Sequence, residues 1–195
     1  MDTAHRDALT RELRRALTSA CPGSRTELAG SLARGTADVY SDVDLRWIVP
    51  DDAFTDAVTG VAKVLAEVWP VATVRTQESA RRWRVLASLR DLPLFWQLDL
   101  DIRAESCPDD EALDEPPAAA ALADGIATVR AVLRAQPATA VSLLDRAFVN
   151  VKAEATASGQ WREDIARLAA AAVELDPEVH PLADEVVTLA TEYLH

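Results

Sequence analysis

The chain has 195 residues, 49% of them hydrophobic, with 20 Lys and Arg against 32 Asp and Glu, a formal net charge of −12. That length admits one or two domains with a real core, and no run of about 18 apolar residues is present to span a bilayer. The acidic balance opposes a nucleic-acid backbone, which normally demands a basic face, and favours a polycationic small molecule. Cys21 and Cys107 lie far apart with no neighbouring Cys or His at metal-ligand spacing, so free thiols are expected. The first twenty residues, MDTAHRDALTRELRRALTSA, are amphipathic and charged without an apolar signal core, so a cytoplasmic location is expected. The three histidines, His5, His180 and His195, are too scattered to form a triad or a zinc site.

In chain order, Leu9, Leu13, Ala16 and Leu17 at helical spacing predict a first helix over 4–19, stopped before Cys21-Pro22-Gly23. A short strand over 25–29 delivers Gly30-Ser31, and a helical turn follows over 32–36. The alternation over 42–49 predicts a strand, and the apolar stripe Phe54, Val58, Val61, Val64, Leu65 and Val68 predicts a helix over about 52–68, closed by Pro70. A strand over 71–74 precedes a pair over 84–90 and 94–103, separated by the turn-like Asp91-Leu92-Pro93. The acidic, proline-containing PDDEALDEPP reads as an exposed linker. Helices are predicted over 118–135, 138–158, 161–175 and 178–193, with short connections that imply an antiparallel bundle. The expected organisation is an α+β unit over 1–108 (a mixed α/β sheet with flanking helices), a linker over 109–117 and an all-α helical bundle over 118–195.

The stretch over 30–49, GSLARGTADVYSDVDLRWIV, carries the chemistry. Asp42 and Asp44 at i and i+2 point to one face of a strand. Two adjacent carboxylates repel, and a divalent cation between them removes the cost. A Gly-Ser turn opening a helix offers free N–H groups and a hydroxyl that suit a polyphosphate. Gly30 and Ser31, then Ala33, Arg34, Gly35, Ala37, Ser41, Asp42, Val43, Asp44 and Leu45, resemble the signature of the DNA polymerase β-like nucleotidyltransferase superfamily, and most of all its small bacterial minimal and aminoglycoside-type members. The close match covers about a tenth of the chain.

The resemblance implies a nucleotidyltransferase sheet followed by a helical domain that shapes the acceptor side of the cleft. It implies transfer of NMP from an NTP to a hydroxyl with release of pyrophosphate, using a pair of Mg²⁺ ions. Asp42 and Asp44 would bind metal together with a third carboxylate from a later strand, where Asp99 and Asp101 share one face and stay open as alternatives. Gly30, Ser31, Arg34 and Ser41 fall in the nucleotide-binding part of the motif. Lys152, one of only two lysines, is a candidate for the triphosphate, with a solvated helix lysine as the plainer reading. Glu154 or the spare member of the Asp99/Asp101 pair is a candidate base. Arg81-Arg82-Trp83-Arg84 is the one basic cluster, a candidate for steering a triphosphate, with a solvated lead-in to a strand as the plainer reading. The expected partners are an NTP and a small hydroxylated acceptor such as an aminoglycoside or lincosamide, with no nucleic acid and no membrane; a homodimer is compatible. The alternative is an antitoxin-like minimal nucleotidyltransferase that binds or modifies a helical toxin.

Overall fold

Alternation gives β2 (Val43–Val49) two unlike faces. Val43, Leu45, Trp47 and Val49 are each at most 1% exposed, while Asp44 and Arg46 alternate with them as half-buried residues. The pattern recurs in β5 (Leu98–Ala104), where Leu98, Leu100 and Ile102 are fully buried, and in β4 (Arg82–Leu89), where Val85, Ala87 and Leu89 are buried. With β1 (Arg25–Leu28) and β3 (Val71–Glu78), these strands form a five-stranded sheet in the order β1-β2-β5-β4-β3. β2 and β5 run parallel, and every other neighbouring pair is antiparallel.

The apolar face packs on two helices. Leu9, Leu13 and Leu17 of α1 (Thr3–Ala20) and Ala57, Val61 and Leu65 of α3 (Phe54–Val68) join one core with the inward rows of the strands. The Trp47 indole N–H, which burial would otherwise orphan, donates to Ser24 Oγ at 2.9 Å. Between β1 and β2 lies the five-residue α2 (Gly30–Arg34).

The computed structural model describes residues 3–194, which leaves His195 outside the described residues. The chain divides into two compact units, Met1–Asp114 and Glu115–His195. The second holds α4 (Pro117–Leu133), α5 (Pro137–Asn150), α6 (Trp161–Leu175) and α7 (His180–Tyr193). Leu122, Val129, Leu144, Phe148, Leu168 and Val186 are fully buried in it. Pro117 and Pro137 begin their helices where the missing N–H is harmless. The architecture is thus a mixed sheet with flanking helices, followed by an all-α unit.

Three elements differ from the sequence reading. The strand at 71 continues to Glu78, because pairing with β4 sustains it through polar residues that a free segment would not hold. Leu94–Trp96 is a 3₁₀ turn, so β5 starts only at Leu98. The helix expected to reach Ser158 stops at Asn150: Lys152 adopts a left-handed φ of 57°, and the Ala153 N–H closes on Phe148 O at 3.0 Å. No helix among the described residues is long and apolar enough to cross a membrane.

Candidate active site

Gly30 and Asp44 form the tightest point of the site. Gly30 has φ of 51°, and a Cβ built on it would lie 1.8 Å from Asp44 Oδ2 and 2.6 Å from its carboxyl carbon. Only glycine permits this approach, on grounds of both conformation and space. The Ala29 N–H donates to Asp44 O at 2.9 Å, which ties the turn to β2. Ser31 follows in the first turn of α2, with its hydroxyl oxygen buried and without a hydrogen-bond partner. A native structure leaves few such groups unmet, and they are good pointers to an absent ligand. α2 ends at Gly35 (φ 67°), whose N–H donates to Leu32 O at 3.3 Å.

The loop from Gly35 to Asp42 is held from behind by α1. Arg6, only 3% exposed, donates from Nη1 to Asp38 O and, at 3.3 Å, to Ser41 O. Asp38 Oδ1 accepts from the Tyr40 N–H at 3.0 Å and from Ser41 Oγ at 2.9 Å, and the Trp96 indole donates to Val39 O at 3.1 Å. Ser41 is 3% exposed, and its hydroxyl also accepts from the Asp38 N–H at 3.0 Å. Within the chain it braces the loop that leads Asp42 to the start of β2.

Parallel register separates the two later aspartates. Asp99 pairs with Asp44, and Asp101 pairs with Arg46. Adjacent strands lie about 4.8 Å apart, so the Asp44 and Asp99 side chains rise from the sheet side by side. Asp101 instead is the hub of an arginine network. Arg82 Nε donates to its Oδ1 at 2.7 Å, Arg103 Nε to its Oδ2 at 2.8 Å, and Arg46 Nε lies 3.7 Å from Oδ2. Register therefore sets Asp99 rather than Asp101 beside Asp44, while arginines engage the oxygens of both. Asp99 has one bidentate partner, Arg84, at 2.8 and 2.6 Å.

Arg34 is exposed in the last turn of α2, where a cation also complements the helix dipole. Lys152 and Glu154 are exposed in the second unit, in the loop after α5. Among the described residues no three His, Cys, Asp or Glu side chains converge as a ready metal cage. Sequence reasoning missed Arg6, and named Arg84 only as part of the basic cluster over 81–84, without its tie to Asp99. The parity of Arg82 and Arg84, two apart in a strand and so on one face, was the signal for Arg84. Arg25, Arg46, Arg75, Arg82, Arg84 and Arg103 all lie on the face that bears Asp44, Asp99 and Asp101.

No protein-family model matches the sequence, and no curated protein matches it. Among solved structures, the chain is similar to Cid1, an RNA terminal uridylyl transferase, at 16% identity over 72% of this chain and 40% of that one, with a TM-score of 0.42. It is similar to the polymerase core of TRAMP, an RNA surveillance complex, at 11% identity over 98% and 57% of the two chains, with a TM-score of 0.43. For the non-canonical poly(A) polymerase complex GLD-2–GLD-3 the values are 14%, 74% and 44%, and 0.35. The chain thus spans 40 to 57% of these three proteins. The chemistry of the site rests on its own residues.

Proposed function

We propose that the chain is a Mg²⁺-dependent nucleotidyltransferase that moves NMP from an NTP to an acceptor hydroxyl. The observation that carries the reading is the Gly30–Asp44 approach, which seats a phosphate-sized turn directly against the Asp44 carboxylate. Asp42 and Asp44 suit Mg²⁺, which commonly uses one or two carboxylates and completes its shell with substrate phosphates and water. That donor set needs no preformed cage. When bound, the ion supplies charge stabilisation at the reacting phosphate and acidifies the acceptor hydroxyl.

The chain's own residues do the rest. Ser31 donates its unpartnered hydroxyl to a phosphate oxygen, and Gly30 lets the backbone close on the same group. Asp99, beside Asp44, is the third carboxylate of the reading. Arg6 and Ser41 keep the loop before Asp42 in place, since a displacement of about 1 Å can cost about 10²-fold in rate.

The acceptor is proposed as a small hydroxylated cation of aminoglycoside type, drawn by the net charge of −12. A second reading, transfer to the terminal hydroxyl of an RNA, draws on the arginines of the sheet face. Incubation of the protein with each α-labelled NTP, Mg²⁺, an antibiotic panel and short RNAs separates them. Label on an aminoglycoside supports the first, label on RNA the second, and no transfer to any acceptor with no NTP bound in calorimetry sinks the enzyme reading.

A further inference from the structure

Arg84 stands directly opposite Asp101 across the β4–β5 ladder. Its guanidinium nevertheless reaches along the strand to Asp99, with Nε 2.8 Å from Oδ1 and Nη2 2.6 Å from Oδ2. The reason is local: Arg82 and Arg103 already occupy Asp101. Such a planar fork on a carboxylate is the strongest common ion pair, and the same fork fits a phosphate equally well. The Arg84 and Asp99 side chains are 30% and 22% exposed, so an incoming ligand can compete for either. Asp99 is thus in register with Asp44 while both of its oxygens face a cation supplied by the chain itself.

We propose that Arg84 is a displaceable latch that occupies Asp99 until an NTP arrives, so that triphosphate and divalent cation bind cooperatively. This rests on the nucleotidyltransferase reading. The triphosphate offers the guanidinium a second anion, and a cation at Asp42 and Asp44 then takes over as the counter-charge of Asp99. Neither exchange leaves a half-buried charge unpaired, which is what makes it feasible. Linkage requires that the NTP raise cation affinity by the same factor by which the cation raises NTP affinity.

The test is Mn²⁺ binding, followed by electron paramagnetic resonance on the full chain with and without a non-hydrolysable α,β-methylene NTP. The wild type is expected to bind Mn²⁺ about tenfold more tightly with the analogue than without it. Arg84→Met should bind Mn²⁺ about tenfold more tightly than wild type in the absence of analogue, and should lose most of the cooperativity. Arg84→Lys keeps the charge but not the fork, and should shift in the same direction. It also serves as the second variant where the Met variant folds poorly. Arg82→Met removes an equal charge from the neighbouring Asp101 and should leave the cooperativity intact.

Equal tightening in Arg84→Met and Arg82→Met would mark a general charge effect and overturn the latch. So would unchanged Mn²⁺ binding in both Arg84 variants, and in that case a wild type that binds Mn²⁺ with the analogue leaves the enzyme reading standing. A wild type that binds neither probe removes that reading and the latch with it.

Discussion

Asp164 in the helical unit and Asp99 in the sheet are both carboxylates drawn out of water, yet their surroundings are opposite in kind. Asp164 is fully buried and accepts from the Ser158 N–H at 2.8 Å, Ser158 Oγ at 2.7 Å and the Gly159 N–H at 3.1 Å, with Arg167 as its counter-charge. Three of these donors belong to the loop between α5 and α6, so the carboxylate staples that loop to the start of α6. Asp99 is held by a side chain, the Arg84 guanidinium. It shares its face with Asp44 and depends on one arginine that a phosphate can claim. A carboxylate saturated by backbone donors is architectural, whereas one kept beside another carboxylate by a single, partly exposed arginine is, on the proposed latch, poised for a ligand.

The comparison breaks most visibly at Asp44. Asp42→Asn or Asp44→Asn should lower NMP transfer by about 10²- to 10³-fold, since the site's charge stabilisation depends on these groups. The melting temperature should stay level or rise slightly, because like-charge repulsion is relieved. Retained transfer in both variants would remove the metal assignment. Gly30→Val comes next. Its side chain collides with Asp44 Oδ2, so transfer should fall by about 10²-fold with the sheet still formed by circular dichroism. Here a large loss without any change at a charged residue separates positioning from charge.

Much of this was legible beforehand. The alternation of β2 and β5 placed Asp44, Asp99 and Asp101 on the polar face, and the Gly-Ser spacing located the turn against β2. Parity alone could not choose between Asp99 and Asp101, because both sit on the same face. That choice is a matter of register, which depends on the β2–β5 pairing across more than fifty residues, and of which arginines β4 brings alongside. The end of α5 was hidden for a related reason. The run from Asn150 to Ser158 has ordinary helical composition, but Asp145 takes the Ala157 N–H at 2.8 Å and Asp164 takes those of Ser158 and Gly159, and these distant acceptors outcompete the helix. The bracing contacts of Ser41 were hidden as well, because a hydroxyl in a motif says nothing of what lies behind it.

The staple side of the comparison is tested by Asp164→Ala, which strips the loop of its acceptor and leaves buried N–H groups and Arg167 without their partner. Global stability should drop by about 3 kcal/mol in chemical denaturation. Nucleotide-analogue binding to Asp42 and Asp44 is not expected to require Asp164, so an equal fall in both would mean that the two carboxylates are not as independent as their surroundings imply.

The smallest effect is the pH dependence of the same staple. Burial raises the pKa of the Asp164 carboxyl, but the hydrogen bonds from Ser158 and Gly159 and the Arg167 guanidinium outweigh it, and the net direction is below the ordinary value of 3.8. A folded-state pKa that is depressed means the unfolded chain binds the proton more readily. The stabilisation from Asp164 is therefore complete above the unfolded value and is lost as pH falls through the folded one. Melting curves of wild type and Asp164→Asn should show a constant gap from neutral pH down to about pH 5, and a gap that narrows steadily below about pH 4. Other carboxylates titrate in the same window, which is why the difference between the two proteins, rather than either curve, carries the sign. A gap that widens on acidification would mean that burial, not the donors, dominates at Asp164, and the distinction between a saturated carboxylate and a poised one would have to be drawn elsewhere.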